Sequence, residues 1–515
     1  MWSADSSGAP GWPPPPEHRP HPLSYVLAVL LPLVLVAIMA VPVAVWGLAR
    51  LRESAAGTGA RGSGAAAADE GGAGVGDPYF PDYGSSGYDA ISYEIAVDWD
   101  PEAASLTGRT KITARASQPL RSFYVDLALD ANSAQVNGSP ATSTKEGFQD
   151  LKITPTEPIE TGAEFEVIID YAGRPGQLLR DGKTPWLTTD DEWTAAGEPA
   201  SSAWWFPAND HPSDPALMDV SVRVPAGLEA ISVGRLESRD RAGEADFDTW
   251  HWVAQQPMAS YLNFVSIGQY ELEEGVIDGR PYVYAVTEQL DEDDRRAVFT
   301  VLRGSGEVVR GLERLFGPYP FTEIGGVVPA HAFDFAGLET QTRPIYDPAS
   351  IRNPGFAQDL LVHELAHMWF GDQVTLKQWN DIFINEGYAA WAQWGYAEGM
   401  PGRRSGNQRL NEFYDRLADQ DKFWRVTMID PGPDQLFSTV YTRGPMVLQA
   451  LRNIIGNDAF LALAREWSAV PRPRSVEDWM IQAQAKTKVD LAPFFQAWIF
   501  SPEVPARTAE NGFRP

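Results

Sequence analysis

The sequence predicts an α+β chain. A β-sheet domain over residues 78–272 precedes a mainly helical domain over 273–502, and a transmembrane anchor stands ahead of both. Three observations predict it. A long uncharged stretch lies near the N-terminus. Apolar and polar residues then alternate with period two through the first region, as in half-buried strands. Apolar residues recur at helical spacing through the second.

Length and composition bound the function. A chain of 515 residues has room for roughly two or three domains with sizeable cores. Its 44% hydrophobic and 21% charged content fits a globular protein. The net charge of −28 argues against nucleic acid as a partner, because phosphate backbones select basic surfaces. It favours solubility and cationic ligands. The absence of cysteine excludes disulfides, thiolate metal sites and thiol catalysis.

The elements follow in order. Residues 1–22 contain "GAPGWPPPPEHRPHP" and are expected to form a disordered Pro-rich tail. Residues 22–49 carry no formal charge, a length that crosses a bilayer with slack for tilt. Pro32 and Pro42 are tolerated in membrane helices. A cleaved signal peptide has a shorter apolar core, so residues 23–49 are expected to form a single-pass anchor in the cell membrane. Arg50 and Arg52 favour a cytoplasmic C-terminal side. Large domains translocate with little regard to a few charges, however, and the region that follows is expected outside the cytoplasm. Residues 50–77 include "ESAAGTGARGSGAAAADEGGAGVG", a composition that cannot bury a core, and are expected to be a flexible linker.

The strands expected in the first domain include "ISYEIAVDW", "RTKITARA", "RSFYVDLAL", "FEVIIDY" and "MDVSVRVP". "YLNFVSIGQYEL" closes the series near Leu272, with the domain boundary expected over 273–279. The helical region opens on "DEDDRRAVFTVLRGSGEVVRGLERLFG". Its acidic run reads as carboxylates at the positive end of a helix dipole rather than as a metal site. Further helices are expected over 446–455, 459–467, 476–485 and 491–500, with Ser475 and Asp478 forming a capping box. Residues 503–515 form a tail.

The chemistry is concentrated in "LLVHELAHMWFGDQ", which begins at Leu360. Asn353 can cap a helix there, Pro354 suits its first turn and Gly371 can end it. His363 and His367 then share one face, one turn apart, and can take adjacent tetrahedral positions on zinc. Glu364 cannot ligate from the same turn, but it is placed to accept a proton from a metal-activated water. With seven histidines in the chain, a chance H-E-x-x-H match is on the order of one per cent. The bland alternative is two histidines satisfied inside a core. Glu386, in "WNDIFINEGYAAWAQWGYAEG", either supplies a third ligand from a second helix or caps that helix.

Together, "VHELAHMWFGDQVTLKQWNDIFINEGYAAW" resembles the zinc core of the gluzincin aminopeptidases, the family of aminopeptidase N and leukotriene hydrolase. The resemblance extends over roughly residues 78–500. It implies a saddle-like N-terminal β domain, a thermolysin-like catalytic domain, and one zinc held by His363, His367 and Glu386. The chain stops too early for the later domains of many members, so it resembles a compact two-domain one. The resemblance also assigns Tyr441, in "VYTRGPMVLQALR", to hydrogen-bond the developing oxyanion. It aligns "AGLET" at 336–340 with the Gly-x-Met-Glu-Asn motif, keeping Glu339 for the substrate α-amino group but departing at Ala336, Leu338 and Thr340. Glu198, in "EPASSAWWFPANDHP", is either a second carboxylate for that amine or a solvated loop residue. Gln393 stands where an acidic residue often orients a zinc histidine.

The expected function is a zinc-dependent aminopeptidase that cleaves the first bond of peptides with a free N-terminus, with Glu364 as general base. A zinc endopeptidase on the same core, or an inactive binding scaffold, are the alternatives.

Overall fold

A computed structural model describes residues 69–241 and 246–514. The N-terminal half is built on a ten-stranded sheet. At its centre Tyr88–Asp100 pairs antiparallel with Ser105–Ala116 and parallel with Ala216–Pro225. The alternation read from the sequence is physical: Tyr93, Ile95, Val97 and Trp99 point into the core, while Glu94, Ala96 and Asp98 face solvent. A four-stranded sheet contributes Trp186 and Trp193, whose rings lie 4.9 and 5.4 Å from that of Trp99.

A five-stranded sheet begins the C-terminal half, in the order Tyr270–Ile277, Arg280–Thr287, Ile324–Val328, Ile345–Tyr346, Gly337–Leu338. The boundary expected at 272/273 falls inside its first strand. The short strand Gly337–Leu338 forms the edge and pairs antiparallel with Ile345–Tyr346.

Helices pack beyond this sheet. The acidic run does start a helix, Glu292–Leu302: Asp291 accepts the Asp294 N–H at 2.8 Å, and Arg296 pairs with Glu292 and Asp293. The Ser475/Asp478 capping box is present. Three helices carry the site: α1 (Ala357–Ala366), α2 (Phe383–Ala397) and α3 (Val440–Ile455).

The expected start of α1 needs correction. α1 does not start at Asn353. The Asn353 carbonyl accepts the N–H groups of Phe356 and Ala357, at 2.9 and 2.8 Å, and its side chain accepts from Gly355. Residues 353–356 therefore close a separate turn, and Pro354 lies outside the helix.

Among the described residues no helix is long and apolar enough to cross a membrane. The tail at 1–22, the span expected at 23–49 and the linker through residue 68 lie outside them. The described end of the linker is bound to the protein. The Gly71 N–H donates to the Ser122 carbonyl at 2.8 Å, and the buried Asp77 carboxylate accepts the Tyr79, Phe80 and Trp379 N–H groups. At the other end, residues 503–514 also pack. Asn453 and Trp498 donate to the carbonyls of Gly512 and Asn511, and Phe513 is buried.

Candidate metal centre and active site

His363 lies in the last turn of α1 and His367 caps its C-terminus. A widened turn, Met368–Asp372, follows. Within it Gly371 adopts φ +132°, and a Cβ there would lie 3.3 Å from both His367 Nδ1 and Asn385 Nδ2. The glycine thus does more than end a helix. It allows the chain to fold back so that the Phe370 carbonyl accepts from His367 Nδ1 at 3.0 Å. That bond fixes the tautomer and leaves Nε2 free to ligate. The Phe370 ring stacks on Tyr388 of α2 at 4.0 Å and 3°, tying the turn to the helix that carries Glu386.

Glu386 sits in the first turn of α2. Its Oε2 lies 3.2 Å from His363 Nε2 and 3.5 Å from His367 Nε2. Ligand atoms of the three residues all fall within 4.8 Å of one another, and all three side chains are buried. Two imidazoles and a carboxylate form the donor set of a catalytic zinc site, with the fourth position left for water or substrate. The electrostatics agree. Burial opposes charge on His367, yet Glu339 and Glu386 outweigh it and drive the pKa well above the usual imidazole range. Burial likewise opposes ionisation of Glu386, but the charge on His367 and hydrogen bonds from both imidazoles hold it at about 2. So acidic a cluster calls for positive charge at its centre, and a divalent cation meets that demand.

Glu364 points to the other side, against the sheet edge. The approach is so close that a Cβ on Gly337 would lie 2.6 Å from the Glu364 Cδ. Burial first, then the charges of Glu339 and Glu386, keep the Glu364 carboxyl well above the usual range, with His367 opposing. Glu339 follows Gly337 along the same strand exit. Its carboxylate, with those of Glu364 and His367 Nε2 or Nδ1, forms a second mutually close group within 4.8 Å. Tyr261 donates to Glu339 Oε1 at 3.3 Å. The loop after the strand Trp193–Ala195 carries Glu198 into the electrostatic reach of Glu339, Glu386, His367 and Glu364. Burial chiefly, and then those neighbouring acids, push its pKa well up.

Tyr441 lies in the first turn of α3, its ring 5.9 Å from that of His363. Burial, with Glu386 and Glu198 next, raises its pKa and keeps the phenol a neutral donor. Two glycines bring it there. A Cβ on Gly444 would lie 2.8 Å from the Gly387 Cα, so α2 and α3 touch backbone to backbone, one turn from Tyr441 and next to Glu386. Arg443 locks this end of α3 by donating to the carbonyls of Trp424, Val426, Trp498 and Ser501.

The structure thus gathers His363, Glu364, His367, Glu386, Glu339, Glu198 and Tyr441. Gln393 is different. It donates to the Asp359 carbonyl at 2.9 Å, bracing α2 against α1, while the Phe370 carbonyl orients His367. Sequence reading missed Phe370, Tyr261 and Gly337. A main-chain carbonyl leaves no residue signature, and the contacts of the other two cross long stretches of chain.

Residues 313–476 match the model of the Peptidase family M1 domain, a span that includes all three proposed ligands, Glu364, Glu339 and Tyr441. This chain carries a domain of the M1 peptidase family. The fold agrees with that assignment. A crystal structure of an M1 zinc metallopeptidase point mutant from Deinococcus radiodurans, bound to a Tyr-Ser-Ala substrate, superposes with a TM-score of 0.75 at 26% identity, covering 84% of this chain and 98% of that one. Among curated relatives, aminopeptidase B of Homo sapiens is 24% identical over 390 residues, which are 69% of this chain and 57% of that protein. Aminopeptidase N of Acetobacter pasteurianus is 26% identical over 325 residues, 58% and 88% of the two chains. Leucine aminopeptidase 2 of Ajellomyces capsulatus is 23% identical over 321 residues, 59% and 51%. The chain spans about half the length of the first curated relatives it matches. It shares the family's two-domain fold, with an N-terminal sheet domain and a helical C-terminal domain, and its donor set fits the zinc of the family.

Proposed function

We propose that this M1 peptidase is a zinc-dependent aminopeptidase acting on peptides with a free N-terminus. The observation that carries the reading is the buried acid pair beside the metal ligands, in which Glu339 and Glu364 approach within 4.8 Å. One acid serves as base and the other as anchor for the substrate amine. His363, His367 and Glu386 would hold the zinc, which would supply Lewis acidity toward water and the substrate carbonyl. Glu364 accepts a proton from the attacking water and returns it to the departing amine. The Tyr441 phenol donates to the oxyanion as charge develops there. Glu339 and Glu198 hold the substrate ammonium, so that only the first peptide bond reaches the base. The names of the relatives support an aminopeptidase, and the peptide bound in the Deinococcus structure supports a peptide substrate.

The test uses purified soluble domain, a panel of fluorogenic aminoacyl substrates and matched N-acetylated peptides. Expected are cleavage of free N-termini only, loss of activity with chelator, recovery with zinc, and a loss of about 10²–10⁴ in Glu364→Gln. Equal rates on free and acetylated peptides would make this an endopeptidase. No activity on any peptide with zinc bound would leave a binding scaffold.

We further propose that residues 23–49 anchor the protein in the cell membrane with the catalytic unit outside the cytoplasm. The uncharged run over 22–49 supports this. Alkaline extraction of membranes and protease treatment of intact cells test it. Release into the wash, or protection from protease, would refute anchoring or orientation respectively.

A further inference from the structure

Glu339 receives a side-chain hydrogen bond from the other domain. Tyr261 lies in a short turn, Ser260–Leu262, just before the strand Val265–Gly268 of the four-stranded sheet. Its side chain is 1% exposed, and its hydroxyl lies 3.3 Å from Glu339 Oε1. A buried phenol at that distance donates to a carboxylate more strongly than to a neutral acceptor.

The tyrosine is held on three sides. Behind it, Ser260 Oγ donates to Asp210 Oδ1 at 2.7 Å. Beyond it, the Leu262 carbonyl accepts the Gln341 N–H at 3.3 Å, which fixes the turn against the segment that leaves Glu339. On its face, the Trp379 ring packs at 5.3 Å, and Trp379 is itself pinned through its N–H to Asp77 Oδ2 at 2.8 Å. Trp379 opens the turn that leads into α2 and Glu386. The phenol is therefore located by both domains at once, and its one polar atom is directed at the carboxylate proposed to bind the substrate amine.

A carboxylate among other acids has strong reasons to swing away from them. Glu198, Glu364 and Glu386 all surround Glu339. A fixed donor on one oxygen opposes that motion and leaves the second oxygen for the ligand.

We infer that Tyr261 is a positioning residue for substrate recognition: by donating to Glu339 Oε1 from the sheet domain, it aims the carboxylate at the α-ammonium group of the substrate. This inference rests on the aminopeptidase reading. It extends that reading by making recognition of the N-terminus a property of the domain interface.

The experiment is a double-mutant cycle on the full catalytic unit with zinc bound. Tyr261→Phe removes only the hydroxyl and keeps the ring against Trp379. It is expected to raise KM for free-N-terminal substrates about tenfold, the effect of one hydrogen bond to a charged group, with kcat within about twofold. kcat/KM for free-N-terminal peptides falls by the same factor, and zinc content is unchanged. In the Glu339→Gln background the same substitution costs less than about twofold, because Tyr261 acts through Glu339. An unchanged KM in Tyr261→Phe, or an equal effect in both backgrounds, overturns the inference and leaves the tyrosine as packing. Failure of the underlying reading looks different: the unsubstituted enzyme would itself cleave free and acetylated peptides alike.

Discussion

Gly337 and Glu364 are in backbone-to-carboxylate contact, so that the edge strand of the catalytic sheet runs directly under the proposed base. A single methyl group on Gly337 would lie 2.6 Å from the Glu364 Cδ and nearer still to Oε1. Gly337→Ala is expected to displace the carboxylate and lower kcat/KM by about a hundredfold, as small misplacements of a reacting group do. Zinc content should be unchanged, because Glu364 is not among the three proposed ligands. Steady-state kinetics with parallel metal analysis check both halves, and wild-type kinetics in the variant would show that the contact is without consequence.

What the sequence discloses and what it hides divide along a physical line. The pairing of His363 with His367 is local, fixed by helix geometry, and so legible at once. The order of the domains is legible too, because the period of two from Ile91 to Trp99 and the helical period over 446–455 record which faces are buried. Glu386 is a candidate from its spacing, as ligand or as cap, and Tyr441 is reached by resemblance, since their approach depends on how α2 and α3 cross at Gly387 and Gly444. The start of α1 misleads: Asn353 looks like a cap, but its carbonyl is used to close an earlier turn. Gln393 misleads for a similar reason, because its position on the helix is right while its partner is the Asp359 carbonyl. Tyr261 and Glu339 come together from different sheets, and nothing local in "SYLNF" announces it.

Metal removal should be visible in stability as well as in activity. Zinc at about 100 times its Kd adds roughly 2.7 kcal/mol to the folded state, provided that it binds the unfolded chain weakly. Chelated protein is therefore expected to melt several degrees lower than the zinc form, and zinc should restore both Tm and turnover. Glu386→Gln, which removes the anionic ligand, should abolish the zinc-dependent rise in Tm. Thermal melts with and without chelator decide the matter, and identical melting curves would speak against a metal held by these residues.

Arg343 joins the two domains through its guanidinium. Fully buried, it donates to the carbonyls of Ser232, Gly234 and Val283 and lies 4.5 Å above the Trp252 ring. Lysine offers a point charge in place of that planar fork and leaves buried carbonyls unsatisfied. Arg343→Lys is expected to cost roughly 2–4 kcal/mol of stability. Urea denaturation measures it directly, and a loss below about 0.5 kcal/mol would mean that water or the lysine replaces the guanidinium without penalty.

Asp126 should make the stability of the sheet domain fall with rising pH. Burial first, then the charge of Asp210, push its pKa up to about 8 from a reference of 3.8, against hydrogen bonds from the Asp210 N–H and Gln149. Between those values the folded chain keeps a proton that the unfolded chain has released. The folded state therefore binds more protons, and stability declines as pH rises through this window. The contribution is complete below about pH 4 and lost above about pH 8. Asp214, also raised to about 8 by burial, works in the same direction. Asp126→Asn stays neutral throughout, so its Tm should decline less steeply than wild type between about pH 4.5 and 8.5. Melting curves across that range test the sign, and parallel slopes for the two proteins would show that Asp126 ionises without cost to the fold.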